Sequence, residues 1–180
     1  MWIRDDGARL FKVVVYGALD APVRGALRAM AETISGMPFA APPPSGAITH
    51  DSFEASLGMV KGRQTELILT TAPAENAPPA VRLLILKQCD GVIFVAPGNP
   101  TDADRARYAE LNSHLQSLGY VPTETPVVVQ LEGWCESVSK ALEALGATGR
   151  TAAEVDTIGK KKLLDGLKAL SKLLLEKAPP

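Results

Sequence analysis

Apolar residues fall along this chain in two alternating rhythms, one of period two or unbroken and one of helical period. Leu10 to Tyr16 (LFKVVVY) is a β-branched run closed by Gly17, the pattern of a strand covered on both faces. After a loop, Val23, Leu27, Met30, Ala31 and Ile34 recur at helical spacing, and Gly36 supplies the stop. Met37 to Ser45 (MPFAAPPPS) cannot propagate a helix, because its prolines lack donors and fix φ; it reads as a stiff, extended loop. Phe53 to Val60 and Thr65 to Thr71 flank Lys61-Gly62-Arg63-Gln64, which predicts an antiparallel hairpin. Ala72 to Pro79 is a second proline-stiffened loop. Ala80 to Lys87 reads as a helix from its context, although its β-branched residues also allow a strand. Gly91 to Ala96 (GVIFVA) and Pro126 to Gln130 (PVVVQ) are buried-strand runs separated by a helix from Asp102 to Leu118. Trp134 to Leu145 predicts another helix, Ala153 to Asp156 a weaker strand, and Lys160 to Lys177 a final helix. That helix carries Leu163, Leu164, Leu167, Leu170, Leu173 and Leu174 on one stripe.

The order β-α-β-β-α-β-α-β-α-β-α predicts a three-layer α/β fold. Its sheet is six-stranded and mostly parallel with one antiparallel hairpin strand, helices cover both faces, and loops at the carboxyl ends of the strands form the binding edge. No repeat or linker divides the chain, so residues 1–180 are read as one domain with short flexible tails.

Composition narrows the function classes. At 180 residues and 46% hydrophobic content the chain can bury one full core. A formal net charge of −1 leaves no basic excess for a phosphate backbone, which argues against nucleic acid as partner. The N-terminus carries Arg4, Asp5, Asp6 and Arg9 without an apolar core, and no later stretch has the length of a membrane span, so a cytoplasmic protein is expected. Cys89 and Cys135 stand far apart without a metal-ligand pattern, and are read as buried or incidental thiols. His50 and His114 lack neighbours of that kind and are read as surface or loop histidines. Lys160 to Lys162 either marks an anionic partner or is a solvated face, of which the solvated face is favoured.

The segment after the first strand occupies the place of a phosphate loop, G-x-x-x-x-G-K-[ST], in which glycine frees backbone donors, lysine neutralises phosphate and the hydroxyl ligates magnesium. Gly17 is present, but Pro22, Val23 and Arg24 stand in the three decisive positions. Proline removes a donor, valine has no charge, and arginine places a cation where a metal ligand belongs. Asp20, ahead of a helix with Pro22 in its first turn, has the chemistry of an N-cap. Its carboxylate either takes the phosphate's place or simply caps the helix.

Downstream, Ser56 to Ala74 (SLGMVKGRQTELILTTAPA) resembles SLGEIRGFKTRFHLYTVPG of the bacterial MglA-type small GTPases associated with gliding motility and cell polarity. Asp90 to Ala96 (DGVIFVA) resembles that family's DGVVFVA strand; Leu118-Gly119-Tyr120 and Pro126 to Gln130 resemble its next helix end and base strand, and a looser likeness runs from Phe11 to Leu175. The resemblance implies a Ras-like, P-loop NTPase fold. It also implies where nucleotide chemistry should lie. The P-G-Q of switch II falls on Pro73, Ala74 and Glu75, turning a water-positioning amide into a carboxylate. Ala47 falls on the switch I threonine, with Thr49 nearby, and the guanine-reading N-K-x-D falls on Glu132, Gly133, Trp134 and Cys135. Trp134 is either a partner-facing anchor or a cover for the pocket left by the base.

These replacements lead to the expectation of a pseudo-GTPase: no nucleotide, metal or other cofactor, no catalysis, and a proline-stiffened switch surface that docks protein. By resemblance, the partner is a roadblock/LC7 homodimer or a motility and polarity complex. The docking residues are expected to be Phe53, Met59, Arg63, Glu75, Asn76 and Arg82. Two rivals stand beside this: a residual GTP or ATP binder or slow hydrolase with unorthodox residues, and an unrelated enzyme on a doubly wound fold, for which no catalytic set is apparent.

Overall fold

The computed structural model describes residues 1–39, 50–73, 77–155, 162 and 164–177. The strands are β1 (Trp2–Ile3), β2 (Arg9–Gly17), β3 (Ser52–Val60), β4 (Arg63–Thr71), β5 (Gly91–Pro97), β6 (Val127–Glu132) and β7 (Thr151–Val155). The helices are α1 (Asp20–Ser35), α2 (Pro79–Leu86), α3 (Asp102–Ser117), α4 (Val138–Leu145) and α5 (Asp165–Lys177).

The sheet runs β3-β4-β2-β5-β6-β7, with every neighbouring pair parallel except the β3/β4 hairpin. Alternation along β2 decides how it is covered. Phe11, Val13 and Val15 meet α1 and α5 on one face, while Val14 and Tyr16 meet α2, α3 and α4 on the other. The apolar runs of β5 and β6 divide between the same two cores, so three layers form because these strands have no polar face to give to water. Gly36 ends α1 in the left-handed conformation, at φ 69°, with its N–H donated to the Glu32 carbonyl.

Three expectations need correction. The sheet has seven strands, because Trp2 and Ile3, expected in a flexible tail, pair antiparallel with Leu10 and Arg9. They occupy the side of β2 that β5 takes from Val13 onward, and the terminal ammonium pairs with Asp90. Helix α4 begins at Val138, because Ser137 adopts an extended conformation and accepts the Lys140 N–H at 3.4 Å; Trp134 lies in the loop before it. The last helix begins at Asp165 among the described residues. The second loop-flanked segment, open to either structure, is the helix α2.

Chain connections leave β2 first toward β4 and then, through α2, back across to β5. The carboxyl end of β2 is therefore the point where the winding reverses and where an α/β sheet opens a crevice.

Candidate functional site

At that crevice the residues on which a phosphate-loop pattern is expected to fall belong to α1 from Asp20 onward. Leu19, at φ −119° and ψ 141°, is the N-cap of α1 and makes no side-chain cap bond; its carbonyl accepts the Val23 N–H at 3.4 Å. Asp20 is thus the first helical residue and not the cap expected of it. Its carboxylate lies in the first turn, where a negative charge still suits the helix dipole. Pro22 occupies the same turn, whose donors have no intrahelical acceptor, so its missing N–H leaves nothing broken there. Val23 points into the core at 1% exposure, away from the crevice a lysine would serve. Gly17 is held close: a Cβ there would come within 2.7 Å of both Val23 Cγ2 and the Val95 carbonyl oxygen.

Arg24 has a partner the sequence does not announce. Its Nε and Nη2 donate to Asp51 Oδ2 and Oδ1, each at 3.0 Å, and Arg28 Nε lies 3.4 Å from Oδ2. Asp51, 1% exposed, immediately precedes β3, and its backbone is tied to the end of β4: its N–H donates to Thr71 Oγ1 at 2.9 Å, and its carbonyl accepts the Thr71 N–H at 2.9 Å. Hydrogen bonding to Asp51 holds the Arg24 guanidinium above its ordinary pKa. The side chain expected to spoil a metal site therefore clamps α1 onto the start of β3, whose backbone is in turn tied to the end of β4. Asp51 and Arg24 are 27 positions apart, and no local motif links them.

Pro73 is buried at the end of this segment. Ala74, Glu75 and Asn76 lie outside the described residues, as do Ala47 and Thr49. Of the expected docking set, Met59 and Arg63 are exposed on the hairpin, whereas Phe53 is half-buried in an edge-on contact with Phe39, ring centroids 6.3 Å apart. Arg82 must be removed from the set. At 6% exposure it donates through Nε to Glu110 Oε1 at 2.7 Å and through Nη1 to the Ala77 carbonyl at 2.6 Å. Glu110 also accepts from Arg107 at 2.6 Å and lies 3.7 Å from His114 Nε2, so this network joins α2 to α3. His114 is mostly covered, not a surface histidine, and burial holds its pKa below the usual 6.5. Burial also pushes the nearby Tyr16 phenol up to about 12 and, elsewhere, the Cys89 thiol to about 12, which makes Cys89 an inert core thiol.

The positions of the base-reading motif form the turn after β6. Glu132 ends the strand and accepts from Gln130 at 2.7 Å, Gly133 turns the chain at φ 79°, and Cys135 is half-buried. Trp134 is 75% exposed and is not among the residues lining the cavity described below. This turn presses on the one after β5, where a Cβ on Gly98 would lie 2.1 Å from the Trp134 carbonyl oxygen. Between the turns and the start of α1 lies a cavity of about 200 Å3, lined by Ala18, Leu19, Pro22, Ala96, Asp104 and Glu132 among others. Asp104 caps its own helix, accepting from Thr101 Oγ1 at 2.6 Å and Thr101 N at 2.8 Å. No lysine or arginine lines this cavity among the described residues, so a polyphosphate placed there would face carboxylates. Among the described residues no group of three or more histidine, cysteine, aspartate or glutamate side chains is arranged to hold a metal ion. None of their helices is long and apolar enough to cross a membrane.

A mostly parallel sheet with one antiparallel hairpin, helices on both faces and a crevice where the winding reverses define the Ras-like class of P-loop fold. The chain is 31% identical over 134 residues to the mutual gliding-motility protein MglA of Myxococcus xanthus (strain DK1622), a match covering 69% of this chain and 67% of that protein. It belongs to the family of MglA-like small GTPases. No family model matches the chain.

Proposed function

We propose that this chain is a pseudo-GTPase: a small-GTPase-like protein of motility or polarity systems that neither holds nor hydrolyses nucleotide and serves as a protein-docking module. A roadblock/LC7-type regulator, or a complex built around one, is the partner class. The observation that carries this is the Arg24–Asp51 clamp. At the position of a magnesium-ligating hydroxyl, a guanidinium instead bridges the first helix and the foot of the hairpin by two 3.0 Å bonds to a buried carboxylate. In a small GTPase, nucleotide phosphate and its metal draw those elements together; here side chains do so. Helical backbone at Asp20 to Arg24 and an acidic cavity rim act in the same direction.

Titration with fluorescent GTP and ATP analogues, with and without magnesium, tests the proposal. Purified protein should give no saturable signal at micromolar concentrations, and its denatured supernatant should release no guanine nucleotide. Saturable, magnesium-dependent binding would establish instead a residual nucleotide binder that uses unorthodox residues.

A further inference from the structure

On the face of the sheet that carries α1 and α5, the two helices leave a groove beside the hairpin. Ile34 near the end of α1, Ala55, Leu57 and Val60 on β3, and Leu167 and Leu175 on α5 line it, and its volume is about 600 Å3. Two local features keep it open. Ala55, Ser56 and Ser171 are small where larger side chains would fill the space, and the β3/β4 register slips between Ser56 and Gly58, so that Ser56 and Leu57 both border the groove. Lys61, in the hairpin turn at φ 49°, donates to the Leu175 carbonyl at 3.0 Å and ties the turn to the last turns of α5.

Charge indicates the head group of an occupant. Lys61, Lys168, Lys172 and Glu176 also border the groove. Lys168 lies 3.7 Å from Asp165, which offsets its charge. The partner of Lys61 is a neutral carbonyl, and Lys172 has no ion pair among the described residues. Set against Glu176, these two lysines leave one positive charge over. The walls indicate the tail. Apart from the charged groups, the described lining side chains offer only the Ser56 and Ser171 hydroxyls, and Ser56 already accepts from Gln64 at 2.8 Å. An extended peptide lying in the groove would bring amides that these walls do not pair, whereas an alkyl chain brings none. The volume falls among those of small-molecule sites, about 300–1,000 Å3.

We propose that this groove is a binding site for a single-chain amphiphile with one negative charge, of the fatty-acid class: the alkyl tail lies among Ile34, Leu57, Leu167 and Leu175, and the carboxylate meets the surplus charge of Lys61 and Lys172. The groove shares no described lining residue with the crevice cavity, so the assignment stands whether or not nucleotide binds.

The whole chain is titrated with cis-parinaric acid, a fluorescent polyene fatty acid. Dodecanoate, hexanoate and dodecylammonium then compete, all below their micelle-forming concentrations. Parinaric emission should rise saturably. Each buried methylene is worth about fourfold in affinity, so dodecanoate should compete at least about a hundredfold better than hexanoate. Dodecylammonium, equally apolar but cationic, should compete at least about fivefold more weakly than dodecanoate. Ser171→Trp, which fills the groove, should weaken dodecanoate by about tenfold. Lys172→Glu, on an exposed side chain, reverses the surplus charge and should make dodecylammonium the better competitor. This second variant keeps the test decisive should the tryptophan perturb folding.

Absence of saturable uptake, equal competition by dodecanoate and dodecylammonium, or binding that neither variant changes overturns the proposal. Binding to phosphatidylglycerol vesicles without uptake of dodecanoate also overturns it, because the lysines then meet a lipid surface and the groove takes no tail. Self-association on size-exclusion chromatography that shuts out parinaric acid gives the groove to a second copy of the chain and overturns it as well.

Discussion

Asp51 is the residue on which the crevice's geometry turns. It is covered almost completely, faces two arginines, and has backbone partners on β4, so removing its carboxylate leaves cations without their counter-charge. Asp51→Ala should lower unfolding stability by about 2 kcal/mol, the scale of hydrogen bonds to charged groups, because both arginines keep access to solvent once the carboxylate is gone. Arg24→Ala should cost only about 1 kcal/mol, since Arg24 is one-third exposed and Arg28 remains beside the carboxylate. Urea denaturation of the single and double variants checks both values, and additive effects would mean the two residues are not coupled. Residue-level legibility follows the same division. Pro22, Val23 and Arg24 could be singled out from the sequence because a phosphate loop is a local spacing. Asp51 and the burial of Arg82 could not, because their partners stand 27 and 28 positions away, across element interfaces. Asp20 shows a finer limit: its residue type suits a cap, but the backbone places the cap one position earlier, at Leu19.

Elements with strong periodicity were readable directly. Continuous β-branched runs gave β2, β5 and β6 because buried parallel strands have no polar face, and a glycine-bearing turn between two apolar runs gave the hairpin. Two-residue β1 has no period to detect, and the start of α4 is set by the Ser137 cap after an irregular turn. Caps also make testable statements about elements. Thr101→Ala removes the hydroxyl that both accepts the Asp104 N–H and donates to its carboxylate, and should cost about 1 kcal/mol by urea denaturation. The α2–α3 network predicts a pH dependence. Because His114 has a folded pKa below its ordinary 6.5, the folded state favours the neutral ring. The stability this contributes is fully present above 6.5 and is lost as pH falls through the folded value. Burial is the main cause, with Arg82 and Arg107 acting in the same direction and Glu110 opposing them. The melting temperature of wild type should therefore drop on acidification through that window, more steeply than that of His114→Gln; parallel curves would remove His114 from the account.

At the scale of the whole molecule, the described members of the expected docking set do not all lie on one surface. Met59 and Arg63 stand out on the hairpin, while Arg82 is internal to the α2–α3 network. Capture by a roadblock-type regulator should consequently fail for the double variant Met59→Ser with Arg63→Glu and persist for Leu84→Ser on the outer side of α2. Retention by the hairpin variant would place the docking face elsewhere. A magnesium ion comes and goes with its nucleotide, which is why a small GTPase can be timed by exchange and hydrolysis. Arg24 and Asp51 are both part of the polypeptide, and the guanidinium keeps its charge at any physiological pH. On the nucleotide-free reading proposed above, a fastening made this way has no clock, and its engagement follows how many copies of the chain exist and where they are kept.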